Sequence, residues 1–429
     1  MGGRATGTAA VVHLVETAPA GSSIIVVDPD DRDYPSVFDD EDPLLLANSS
    51  PGINSLFPDR PDDFLDFLGG ERPTATPRFV MGRYYRDRYR AACRRAAARG
   101  CAVERVSAAC RRITADGDGY HAVLSDGRRL PVDAAVIAVG AGPLRRVPGL
   151  RGLPPFPSRR LRTNPQPRRA LVVGQGQSGI DAALVLCDAG SEVVMTSRSG
   201  EFPAVRTRTL PAEVDLGTID LPADVYRLLD RDTRSKGHPP LAEQLSRAAD
   251  PFDRLREETK LAEADACPWQ DSVIGILDVL CDRALPVAKD KFLWRYVTAI
   301  ALPTAHRMLE HIERGALGVA DFGSVDPAGF DLVVTATGFD PPPLHARRRT
   351  LYLTAPPHDA HAVTQLDASF RMVLSPGHGP ERIWAIGPAS GLRVPFANFF
   401  RAATFQARDV ARQIAALTAP AEGGDRAHP

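Results

Sequence analysis

The sequence predicts an α/β fold, on three observations. A glycine-rich turn opens the chain at residues 2–7, a second stands at residues 174–179, and the apolar spacing of residues 205–304 is mostly helical. Each turn is followed by a helical stretch and then an apolar run, the order of a Rossmann-like dinucleotide-binding unit. The chain of 429 residues has room for two such units and a helical insertion.

The opening "MGGRATGTAAVVHLVE" carries Gly2, Gly3 and Gly7, with only Met1 where a buried strand is expected. Aligned without gaps to G-x-G-x-x-G, it places Gly2, Arg4 and Gly7 on the three glycine positions. A side chain at the middle position projects toward a bound pyrophosphate. A guanidinium there can neutralise the charge but has to swing aside, and Gly3 relieves this only in part. "VVHLVETA" then reads as the helix, and "SSIIVVDP" as a buried strand ending in Asp28, where an acid would hold a ribose hydroxyl. Two explanations of the absent strand stand open, a true start upstream or a lost strand. Loss of a central parallel strand should cost more than the roughly 5–15 kcal/mol a domain has to lose, which favours the first without explaining Arg4.

"NSSPGINSLFPDRPDDFLDFLGG" reads as a polar and apolar loop leading into a short helix, and "YYRDRYRAACRRAAARG" as a helix ending at Gly100. Short strands follow in "CAVERV", "ACRRITAD", "YHAVLSD" and "RRLPVDAAVIAVGAGP", the last emptying into Gly140 and Gly142. Residues 150–167, rich in Pro and Arg, read as a crossing.

The second unit is complete in "RRALVVGQGQSGIDAALVLCDAGSEVVMTSRSG". A strand at 169–173 runs into Gly174, Gly176 and Gly179, with Gln177 and Ser178 as further cofactor-binding candidates, a helix from about Ser178 to Ala189 and a second strand ending near Met195. At the end of that strand stand Ser197 and Arg198 in place of an acid. An aspartate would repel a 2′-phosphate, whereas these two can bond and pair with one, so NADPH is favoured over NADH. A solvated surface arginine is the competing reading of Arg198. In the insertion, Trp269 and Trp294 lie on stripes read as core. Strands return in "GALGVADF" and "DLVVTATGFDPP". "RIWAIGPASGLRVPFANFFRAATFQARDVARQIAAL" closes with a strand, a turn at Gly387, a loop and a long helix, and a disordered tail is expected after Pro420.

Hydrophobic residues at 44%, charged residues at 24% and a formal net charge of −1 describe an ordinary globular chain, without the charge bias of a nucleic-acid or membrane binder. No apolar run reaches the roughly 18–20 residues of a membrane span. "MGGRAT" fits the loose myristoylation pattern, yet its glycines are better used by the turn. The six cysteines, at 93, 101, 110, 187, 267 and 281, contain no C-x-x-C and no zinc spacing. Reduced thiols in a cytoplasm are expected, and no metal.

With "VVTATGFDP" late and "AIGPASG" later still, the whole chain resembles the two-dinucleotide-binding flavoproteins, in particular flavin-dependent N-hydroxylating monooxygenases of the lysine and ornithine N-hydroxylase type. The resemblance implies FAD at the first turn, NADPH at the second, and Thr337 and Gly338 on the strand that leads back to the FAD domain. It implies an FAD-binding domain of residues 1–165 plus 325–429, an NADPH-binding domain of 166–204 plus 305–335 and an insertion of 205–304. By the same likeness Asn54 and Ser55 lie near the isoalloxazine, the other reading being a plain polar loop. Asn398 lies at its pyrimidine end, with Arg393 the nearest fixed cation. The implied reaction is NADPH- and O2-dependent hydroxylation of the nitrogen of a small amine or amino acid through a C4a-hydroperoxyflavin, in secondary metabolism. A reductase or oxidase of the same fold, and a non-catalytic NADPH-binding descendant with a degraded FAD site, are the alternatives. Self-association into a homo-oligomer is left open.

Overall fold

The computed structural model describes residues 1–29, 37–207, 225–282, 291–375, 377–394 and 397–418. The expected tail after Pro420 lies outside them. In chain order, α1 (Ala5–Thr17) and β1 (Ser23–Asp28) lead to α2 (Asp63–Phe67), α3 (Arg78–Ala98), β2 (Ala102–Ser107), β3 (Cys110–Asp116), β4 (Gly119–Leu124), β5 (Arg129–Val132) and β6 (Ala135–Ile137). The second turn lies between β7 (Arg169–Val173) and α4 (Gln177–Asp188), followed by β8 (Glu192–Thr196). The insertion holds β9 (Val205–Arg206), α5 (Val225–Ser235), α6 (Pro251–Glu263), α7 (Trp269–Asp282), α8 (Lys291–Val297) and β10 (Ile300–Ala301). Then come α9 (Leu302–Glu313), β11 (Leu317–Val319), β12 (Leu332–Thr335), β13 (His345–Arg347), β14 (Thr350–Tyr352), β15 (His361–Ala362), β16 (Ile383–Ala385) and α10 (Phe400–Thr418).

The second unit has a four-stranded parallel sheet in the order β11-β8-β7-β12, with β7 at its centre. The central strand β7 is a buried apolar run after Arg169 and α4 is buried along most of its length, as a sheet covered on its faces requires. Residues 325–335 were assigned to both domains above; Leu332–Thr335 pairs with β7 and so belongs to this sheet.

The first unit carries two parallel pairs, β1-β2 and β6-β16, and among the described residues no strand runs between them. Met1 and Gly2 bridge the two: the Met1 nitrogen donates to Val136 O at 2.7 Å, the Ala138 N–H to Met1 O at 2.8 Å and the Gly2 N–H to Val27 O at 2.8 Å. Helix α1 packs between α3 and α10, and a six-stranded sheet in the order β15-β13-β14-β3-β4-β5 adjoins the unit.

The insertion is helical as expected, but its stripes are not all core. Trp269 is buried against Tyr296, whereas Trp294 is half exposed. Arg401 of α10 clamps Asp278 of α7 with bonds of 2.8 and 2.9 Å, fixing the insertion to the first unit. Among the described residues no helix is long and apolar enough to cross a membrane.

Candidate functional site: two glycine turns on one cleft

The two turns can be compared residue by residue. Gly2 and Gly174 both have positive φ, +97° and +126°, and a Cβ on either would lie 2.2 Å from a backbone oxygen, of Ala138 and Ala336 respectively. A Cβ on Gly7 or Gly179 would lie 1.9 Å from the Gly2 or Gly174 oxygen. These four positions are therefore glycine for packing reasons. The Gly174 N–H donates to Thr196 O at 2.8 Å, as Gly2 does to Val27 O, so Ser197 corresponds to Asp28. The strands that receive the turns end alike, in Ala138-Val139-Gly140 and Ala336-Thr337-Gly338, with Gly140 at φ +74° and Gly338 at +82°.

Both α1 and α4 begin with no side-chain cap and no acidic residue in the first turn, leaving their N-terminal amides for an anion. Both open on one cleft of about 1540 Å³. Gly2, Arg4, Thr6 and Asp28 line it from the first turn, and Gln177 and Ser178 from the second. Asp28 is buried, and its Oδ2 accepts the Gly3 N–H at 2.5 Å. At the equivalent place in the second turn the Ser197 hydroxyl donates to Gln175 Oε1. The Gly200 N–H in turn bonds Ser197 Oγ at 3.1 Å, and Arg198 is exposed beside it.

Two backbone crossings join the units side by side. Arg145 N–H donates to Gly338 O at 2.9 Å and Gly142 N–H to Asp340 O at 3.0 Å, while Thr337 Oγ1 donates to Arg145 O at 2.6 Å. Thr337 and Gly338 thus lie at the crossing between the units. A buried ion pair also spans the units: Arg78 of α3 reaches Asp181 of α4 at 2.6 Å, and Gln177 Nε2 bonds the other carboxylate oxygen at 3.1 Å.

Asn398 lines the cleft, as does Gly140, and Gly387 packs against Thr6 of α1, where a Cβ would lie 2.8 Å from Thr6 Cγ2. Asn54 and Ser55 do not face the cleft. Asn54 is buried with its amide on Ser49 O at 3.2 Å, and the Ser55 hydroxyl bonds Arg60 O at 2.7 Å. An earlier Asn-Ser pair, Asn48 and Ser49, lines the cleft, and the 3-10 turn Pro51–Ile53 stands between the two pairs. Arg393 is likewise turned away, toward Leu366 O at 3.4 Å. Sequence reasoning did not find Arg78, Asp181 or the cleft arginines Arg146 and Arg151. The repeated Asn-Ser was a signal for the first correction; nothing local marks the ion pair, whose members are 103 residues apart.

Residues 1–142 match the FAD-NAD(P)-binding family. No curated protein matches the chain. Among solved structures, a flavin monooxygenase variant from Stenotrophomonas maltophilia superposes with a TM-score of 0.51 at 16% identity, covering 97% of both chains. The ornithine N-hydroxylase of Kutzneria sp. 744 does so with 0.51 at 14% identity, over 96% of this chain and 97% of that one. A complex of OTEMO with FAD and NADP gives 0.50 at 12% identity, over 97% of this chain and 83% of the other. The chain has a two-dinucleotide-binding flavoprotein fold. At these identities the likeness is one of fold, and within this flavoprotein fold the paired turns, the shared cleft and the double crossing are its own observed geometry.

Proposed function

We propose that the protein is an FAD- and NADPH-dependent monooxygenase that hydroxylates the nitrogen of a small amine or amino acid. The observation that carries this reading is that both phosphate-type turns, one followed by an acid and the other by Ser197 and Arg198, open on a single cleft. The fold likeness to a flavin monooxygenase and an ornithine N-hydroxylase supports the reaction class.

Gly2, Gly3 and Asp28 would hold the FAD adenosine diphosphate half, and Gly174, Gly176, Gln177, Ser178 and Gly179 that of NADPH, with Ser197 and Arg198 on the 2′-phosphate. Bound together, the two cofactors supply hydride transfer and oxygen activation. The chain's own contribution is to orient, through the crossing at Thr337 and Gly338 and the Arg78–Asp181 pair, and to exclude water with the apolar wall formed by Met81, Phe38 and Phe400. Asn398 and Asn48 present amides to a polar substrate or the flavin ring.

Cys110 lines the cleft, but burial pushes its thiol up to about 11, so it stays protonated and is a poor nucleophile.

The test is incubation of protein, FAD and NADPH with a panel of amines, following NADPH loss and product mass. Amine-stimulated NADPH oxidation with a product heavier by one oxygen is expected. Oxidation without product oxygenation would reassign the protein as a reductase or oxidase, and a colourless protein that takes up no FAD would leave only the NADPH-binding reading.

A further inference from the structure

Resting on the flavin reading above, we propose that Arg4 is a direct ligand of the dinucleotide diphosphate. The first turn would grip this group with a guanidinium where the second admits it to bare backbone.

The matched turns place Arg4 on the position of Gly176, and the backbone there is the same in both. Arg4 has φ −86° and ψ −157°, Gly176 φ −78° and ψ −177°. Both φ values are negative, so an L side chain fits without strain. A Cβ added to Gly176 would meet nothing within 4 Å, unlike one on Gly174 or Gly179. The middle position is thus free of the packing that fixes its neighbours, and a side chain there leads into the cleft, whose wall includes Arg4.

The electrostatics point the same way. Arg4 is the N-cap residue of α1, at the positive end of the helix dipole, and the first turn of α1 contains no acid. Arg146 and Arg151 line the same cleft, as does Arg145, which is paired with Asp340 at 3.0 Å, and Asp28 lines it from the first turn. A planar guanidinium can bond two diphosphate oxygens at once.

The test is FAD binding, read by quenching of flavin fluorescence with NADP+ saturating the second turn, at low and high salt. R4A should bind FAD about tenfold more weakly than the natural chain and with less salt dependence, while R4K keeps most of the affinity. Riboflavin, which has no diphosphate, should bind both proteins equally. R4Q, of similar size and uncharged, repeats the comparison if R4A folds poorly, with NADPH binding as the control for folding. Equal FAD affinity and salt dependence in the natural chain and R4A, or tighter binding by R4A, overturns the role of Arg4 and leaves the flavin reading standing. A natural chain that binds no FAD at any salt overturns both.

Discussion

The second unit is built around β7, paired on both sides by β8 and β12; in the first unit, among the described residues, Met1 and Gly2 make the bonds between β1 and β6. Yet the turns above these different foundations coincide, down to a 1.9 Å approach that only glycine permits at Gly7 and Gly179. Each turn lies against the strand end beside it, so close to Ala138 in the first unit and Ala336 in the second that a Cβ has no room. What differs between the turns is the chemistry at matched positions, Arg4 against Gly176 and Asp28 against Ser197, of which Arg4 and Asp28 line the cleft.

The largest expected effect tests how the two units are joined. R78A leaves the Asp181 carboxylate buried without its cation and should cost about 3–5 kcal/mol in urea unfolding. Replacing both partners by apolar residues of similar size should recover most of that loss. If R78A is neutral, the units do not rely on this pair.

Next in size, G2A and G174A should each destabilise by about 3 kcal/mol through a strained φ and a backbone clash, whereas G176A should change stability by no more than about 0.5 kcal/mol. Thermal unfolding of the three variants reads this directly. A large loss in G176A would break the equivalence of the turns.

Smaller again is the change in cofactor preference. S197D gives the second turn the acid of the first and should weaken NADPH about tenfold while sparing NADH, measured as the ratio of the two dissociation constants. An unchanged ratio would remove the 2′-phosphate from this loop.

The smallest effect concerns pH. The glycine register sets His13 of α1 against Val185 of α4, and both are buried. Burial is the largest cause lowering the His13 pKa below its ordinary 6.5, with Nε2 on Leu56 O at 3.0 Å. A depressed folded pKa means that the unfolded chain takes the proton first. The stability from neutral His13 is full above about pH 6.5 and is lost as pH falls through the folded value. Hydrogen exchange from pH 8 to 5 should show the first unit loosening before the second, and H13V should abolish the difference.

Legibility in the sequence followed the range of the interactions. The second unit was readable almost to the residue: 169–173 for the strand is the observed β7, and the helix differs by one residue at each end. Strand, turn and helix there are set by neighbours within a few residues. Of two Asn-Ser pairs six residues apart, separated by the 3-10 turn Pro51–Ile53, the sequence does not tell which lines the cleft, and it is Asn48 and Ser49 rather than Asn54 and Ser55. Trp294 was read into the core by its periodicity, but periodicity tells which face is apolar and not whether anything covers it.

By itself the sequence determined the two turns, the acid after one and the serine and arginine after the other, since glycine geometry and charge are local properties of the chain. Only the tertiary structure decided that both turns open on one cleft, that Asn48 and not Asn54 lines it, and that Arg78 meets Asp181. Those contacts join residues brought together by packing across separate units, and no spacing along the chain encodes a distance through space.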